Sequence, residues 1–149
     1  MAIPLHKDAL SLDISRTINA TPEQVWAAWT SPGSVALWFA PSAQMATTVH
    51  QLEVRAGGRY RIEMREPGGK VHICVGEYVE VQAPHRLAFT WAWETGDGEE
   101  TLVEVTLRAV PAGCDLSLRH SRFSTEQRRE GHRAGWEGCL GRLPSCIAH

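Results

Sequence analysis

A change of period constrains this chain more than any other feature. After Pro41, six stretches alternate large apolar and polar residues: MATTVHQLEV, RYRIEMRE, KVHICVGEYVEV, RLAFTWAWE, TLVEVTLRAV and CDLSLRHSRF. Alternation at period two marks a strand with one buried face. Turn signals separate the stretches: AGG at 56–58, PGG at 67–69, AP at 83–84, GDG at 96–98 and PAG at 111–113. Short strands at regular spacing predict an antiparallel meander. Gly76, inside a strand, is expected to mark a bulge that lets the sheet curve.

Helical signals flank the meander. LSLDISRTIN at 10–19 reads as a first strand. Thr21 then caps a helix, with Pro22 at its first position and Gln24 completing a capping box. Val25, Trp26 and Trp29 share one face. SPGSVALWFAP reads as a second short helix, with Ser31 as cap, Pro32 inside it and Pro41 after its end. At the far end, Ser124 is the expected cap, with Gln127 three residues on. His132, Trp136, Cys139, Leu140, Leu143, Cys146 and Ile147 then recur at helical steps. Pro144 should end the regular helix near Leu143. Glycines 131, 135, 138 and 141 are expected near the opposite face. The order is strand, two short helices, about six strands and one long helix, an α+β chain with helices on one face of a curved antiparallel sheet.

Composition narrows the function classes. The length, 149 residues, suits one domain over 1–149, with its core over about 10–143. Hydrophobic residues at 43% and charged residues at 21% exclude a disordered chain. A net charge of -2 gives no electrostatic case for nucleic acid or an anionic membrane. The apolar runs are too short to span a bilayer. The start, MAIPLHKDALS, lacks a signal-peptide layout, so a cytoplasmic location is expected. Cys74, Cys114, Cys139 and Cys146 form no CxxC and no zinc spacing with histidine. No metal and no cofactor are expected. AGG and PGG lack the flanking pattern of a phosphate-binding loop.

The chain resembles the helix-grip fold of the START-like (SRPBCC) superfamily, and within it the family related to the C-terminal domain of the activator of heat-shock protein 90 ATPase. TPEQVWAAWTSPGSVALWFAP resembles that family's opening helix pair, and AGGRYRIEMREPGGKV its Gly-Gly turn and hairpin. GEYVEVQAPHRLAFTW resembles its most diagnostic stretch, and HRAGWEGCLGRL its C-terminal helix. The resemblance implies about six or seven strands wrapped around the long helix, with a pocket between helix and concave face. It also brings a chaperone partner and a stress-response role into view.

Strand parity nominates the concave face. Tyr60, Ile62 and Met64 fall on it, as do Leu87, Phe89, Trp91 and Trp93. Val103, Val105 and Leu107 join them, with Leu116, Leu118 and His120. Phe89, Leu116, Leu118 and Leu140 read mainly as core. The expected ligand-binding set is Trp38, Phe39, Tyr60, Met64, Trp91 and Trp93, with His120, Trp136 and Leu140. Along RLAFTWAWE the change from core to pocket is expected at Trp91. His72 lies on the opposite parity from Val71, Ile73 and Val75 and is read as exposed. Arg59, Arg61, Glu63 and Arg65 read as a solvated face, and so do the basic stretches RHSRF and EQRREGHR.

An aromatic lining with few polar groups points to a small hydrophobic or aromatic ligand. The alternative from the superfamily is a cyclase- or hydrolase-like enzyme on the same pocket, for which His120 and His132 are the acid/base candidates. A third reading is an interaction domain, with a chaperone or a second copy of the chain as partner; a homodimer is compatible with the sequence.

Overall fold

The computed structural model describes residues 10–147; the opening nine residues, read above as lacking a signal peptide, and residues 148–149 lie outside the described part. β1 (Leu12–Ile18) leads into α1 (Pro22–Thr30) and α2 (Pro32–Trp38). The meander follows as β2 (Ala46–Leu52), β3 (Arg59–Arg65), β4 (Val71–Gln82), β5 (Arg86–Trp93), β6 (Thr101–Val110) and β7 (Gly113–Ser121). α3 (Glu126–Arg142) ends in a 3₁₀ turn over Leu143–Cys146. The strands make one seven-stranded sheet in the order β1-β7-β6-β5-β4-β3-β2, with every pair antiparallel. β1 returns beside β7, so the α1–α2 pair carries the chain from one sheet edge to the other.

The helix starts follow from local chemistry. The Gln24 N–H donates to Thr21 Oγ1 at 3.1 Å, and the Thr21 N–H donates to the Gln24 side chain at 2.9 Å, a complete capping box. Ser31 precedes α2, but its side chain makes no capping bond. α3 is capped one residue later than expected. Thr125 Oγ1 accepts from the Arg128 N–H at 3.1 Å, while the Ser124 N–H donates to Glu99 at 2.6 Å. Pro144 has no N–H to continue the α-helical ladder, and the chain tightens into the 3₁₀ turn from Leu143.

The expected bulge at Gly76 lies elsewhere. The β4–β5 register slips between Tyr78 and Glu80, so Val79 is the extra residue, and it is exposed. Gly76 is needed for a different reason. A Cβ there would lie 2.0 Å from the Thr90 carbonyl oxygen and 2.6 Å from the Tyr60 ring. The Tyr60 hydroxyl occupies that space and donates to the Thr90 carbonyl at 2.6 Å.

The bulge also overturns the parity assigned to β4. Tyr78 pairs with Phe89 and Val81 with Leu87, so the inward positions shift by one across Val79. Upstream of it the concave side carries His72, Cys74 and Gly76, and the convex side carries Val71, Ile73 and Val75.

Elsewhere the concave face holds the side chains that parity assigned. Val103, Val105, Leu107, Leu116 and Leu118 are all buried. They pack under Val25, Ala28 and Trp29 of α1 and Trp136, Cys139 and Leu140 of α3. Each large apolar side chain so buried contributes about 1.5–3 kcal/mol. The glycines of α3 do not share an idle face. A Cβ on Gly138 would lie 2.2 Å from the Pro41 carbonyl oxygen, so this glycine lets α3 press against the segment after α2.

Candidate functional site

α3 approaches the sheet at β1, with α2 beside it. The half of the concave face built from β3, β4 and β5 is therefore left partly uncovered. Between that half and α3 lies a cavity of ≈ 350 Å³. Met64, Trp91 and Trp93 form its sheet wall, and Trp136 its helix wall. Phe39, Pro41 and Met45, from the connection between α2 and β2, close one end. Gly131 and Gly135 border it on α3, and a Cβ on either would meet nothing within 4 Å. The polar side chains around it are Glu66, His72, Arg128 and His132.

Of the residues nominated from sequence, Phe39, Met64, Trp91, Trp93 and Trp136 come together around this cavity, and His132 joins them. Trp91 and Trp93 border it, whereas Leu87 and Phe89 do not. Four nominations fall elsewhere. Trp38 is fully buried, and its indole N–H donates to the Ala28 carbonyl at 2.9 Å. Tyr60 and Trp38 do not reach this cavity; both border an inner void of ≈ 20 Å³, room for about one water. Leu140 is sealed in the core. His120 lies behind the cavity wall and is fully buried.

The setting of His120 defines its chemistry. The Trp136 indole N–H donates to His120 Nδ1 at 3.0 Å, so that nitrogen carries no proton. Nε2–H then donates to Thr101 Oγ1 at 2.6 Å, and the Thr101 hydroxyl donates to the Trp91 carbonyl at 3.2 Å. Burial, reinforced by the neighbouring His132, holds the imidazole pKa well below its ordinary value. His120 is a neutral link joining β5, β6, β7 and α3. His132 is similarly engaged. Its Nδ1–H donates to the Arg128 carbonyl at 2.7 Å, and its Nε2 accepts from the Trp93 indole at 3.1 Å. Burial lowers its pKa as well.

A second cavity of ≈ 270 Å³ adjoins the first under the β5–β6 turn. Trp91, Trp93, Arg128 and His132 border both, so these four side chains form a partition. Arg128 is not part of a merely solvated basic stretch. Its terminal nitrogens donate to Asp97, at 2.5 Å, and to Glu99, tying the turn to the first turn of α3. Those bonds raise the guanidinium pKa further.

Sequence reasoning missed Glu66 and His72. His72 Nε2 lies 2.5 Å from Glu66 Oε2. The bond from His72 holds the Glu66 carboxyl below the usual carboxylate range. The slip at Val79 concealed His72, because parity counted from the valines of β4 points it outward. Cys139 also borders the cavity. Burial pushes its thiol pKa up to about 12, so it is no nucleophile near neutral pH. All four cysteines are free. Among the described residues, no three His, Cys, Asp or Glu side chains gather as a metal site requires. No helix among them is long and apolar enough to cross a membrane.

A curved seven-stranded antiparallel sheet gripping one long C-terminal helix, with two short helices after the first strand, is the helix-grip fold of the START-like class. Within that class the chain belongs to the family described as Activator of Hsp90 ATPase homolog 1-like protein, whose model matches residues 19–148. A protein from Rhodobacter sphaeroides is 31% identical, superposes with a TM-score of 0.79, and aligns over 92% of this chain and 91% of its own. A protein from Chromobacterium violaceum is 25% identical with a TM-score of 0.85, over 93% of this chain and 97% of its own. A family protein from Silicibacter pomeroyi, at 21% identity, shares the fold with a TM-score of 0.81 over 91% of this chain and 95% of its own. No curated protein matched the chain.

Proposed function

We propose that this chain is a binding protein for a small hydrophobic or aromatic molecule, held in the cavity between α3 and strands β3–β5. One observation carries the reading: a ≈ 350 Å³ cavity walled by Trp91, Trp93, Trp136, Phe39, Met45 and Met64, with its polar groups confined to a few side chains. That volume falls within the range of small-molecule sites, and so does the mix of apolar wall and sparse polar contacts. Flat indoles and flexible methionines suit an aromatic guest. The enzyme reading through His120 or His132 loses support, because both ring nitrogens of each already have partners.

The test is a titration with small aromatic ligands, following tryptophan emission. Binding should change the emission saturably in the native chain. Gly135→Leu places a side chain into open space at the cavity edge and should abolish the saturable change while leaving the thermal midpoint unchanged or higher. If no such ligand perturbs the native chain, or if Gly135→Leu binds as well as the native chain, the proposal fails.

A further inference from the structure

The side chains around the cavity differ in how far their polar atoms are already engaged. Both ring nitrogens of His132 have partners, and one of them uses the Trp93 indole N–H. The Trp136 N–H is held by His120. Arg128 spends one N–H of each terminal nitrogen on Glu99 and Asp97, and those two carboxylates offset its charge. The Trp91 indole N–H has no partner, but its nitrogen is sealed within the wall. Glu66 and His72 are different. His72 spends Nε2 on Glu66 Oε2, which leaves the imidazole Nδ1 and the second Glu66 oxygen unengaged on two residues that line the cavity. With a carboxylate accepting at Nε2, a neutral imidazole carries its proton there and presents Nδ1 as a lone pair. Both open positions are therefore acceptors. The His72 ring also stands edge-on to Trp93, with centroids 6.3 Å apart, beside the aromatic wall.

We propose that the cavity selects aromatic ligands that carry a hydrogen-bond donor, a phenolic hydroxyl or an ammonium group, with His72 as the acceptor and Glu66 as the residue that orients it. The inference rests on the binding function proposed above and deepens it. Carboxylate ligands are disfavoured for two reasons: they bring no donor to Nδ1, and they approach the Glu66 charge. An ammonium would gain further from the face of Trp93.

The experiment uses three probes with one ring system: 2-naphthol, naphthalene and 2-naphthoate. Affinities are measured at about pH 8, above the ordinary imidazole range, by following the methyl resonances of Met45 and Met64. 2-Naphthol should bind about threefold to tenfold more tightly than naphthalene, the worth of one added hydrogen bond. 2-Naphthoate should bind most weakly. His72→Leu should remove the preference for naphthol while keeping naphthalene affinity within about twofold, since the ring contacts remain. In the native chain, the Nδ1 resonance of His72 should shift with naphthol and stay in place with naphthalene, a readout that needs no variant. Equal affinities for naphthol and naphthalene, a preference for naphthoate, or an unmoved Nδ1 resonance would each overturn this inference and leave the binding function standing. Failure of all three probes to bind would overturn both.

Discussion

Acidification should destabilise this protein through His120, and the size of the effect follows from the buried chain Trp136–His120–Thr101–Trp91. The imidazole is fully buried, and its pKa is held well below the ordinary value by burial first and by His132 second. The folded state therefore binds its proton later than the unfolded chain does. A group with a depressed folded pKa of this basic type contributes stability that is present above the unfolded pKa and lost as pH falls below it. The unfolded value is about 6.5. Between pH 7.5 and about 5.5, the unfolded state gains a proton at this position that the folded state refuses, and the loss integrates to about 1.4 kcal/mol. The carboxylates with lowered pKa values act in the same direction but at lower pH, below about 4.5.

The assay is urea unfolding across that interval for the native chain and for His120→Gln, which keeps an acceptor and a donor but does not titrate. The native chain should lose about 1.4 kcal/mol more than the variant over the two pH units. His132 is present in both, so its contribution cancels in the difference. Parallel pH dependences in the two proteins would refute the reasoning. So would a His120 ring resonance that titrates in the folded state near its ordinary value.

Other outcomes follow from single contacts. Gly138→Ala drives a Cβ into the Pro41 backbone, at 2.2 Å, and should cost about 1–3 kcal/mol in unfolding free energy. Gly141→Ala, with nothing within 4 Å, should gain about 0.5–1 kcal/mol. Trp136→Phe leaves His120 Nδ1 buried without a donor and should cost about 1–3 kcal/mol for that group alone, read from a lowered urea midpoint. Arg128→Gln releases Asp97 and Glu99, and amide exchange over residues 96–99 should quicken while exchange in the sheet stays constant.

The elements were legible because each has a local cause. The capping box at Thr21, the stop at Pro144 and the alternation of β3, β5, β6 and β7 each act over a few residues, and the structure follows them. The cavity was legible only in part. Trp91, Trp93 and Trp136 carry visible parity and spacing, but Trp38, nominated from a short helix, shows where local reading fails. Its indole N–H finds the Ala28 carbonyl ten residues back, a pairing that depends on how α1 meets α2. Tyr60 shares the parity of Met64, yet it stands four residues back along β3, in the inner core. Depth along a strand is set by where α3 crosses the sheet, and no local pattern encodes that crossing.

The polar edge of the cavity traces to one inserted residue. Without Val79 as the extra residue, the inward parity of Val81 would extend back along β4 to Val75, Ile73 and Val71. The β4 part of the cavity wall would then be apolar, and His72 would face solvent. With the bulge, the valines and isoleucine turn to the convex side, and His72 comes to the wall with Glu66 beside it. On the opposite wall, Gly131 and Gly135 withhold side chains from the same space. Part of the space therefore comes from what α3 omits, and the polar group on the sheet side from what β4 adds. Both depart from an ordinary local pattern, glycine within a helix and an extra residue within a strand, and both weaken the element that carries them. Two such departures facing each other across one cavity support the proposed binding role, since a solid core calls for neither.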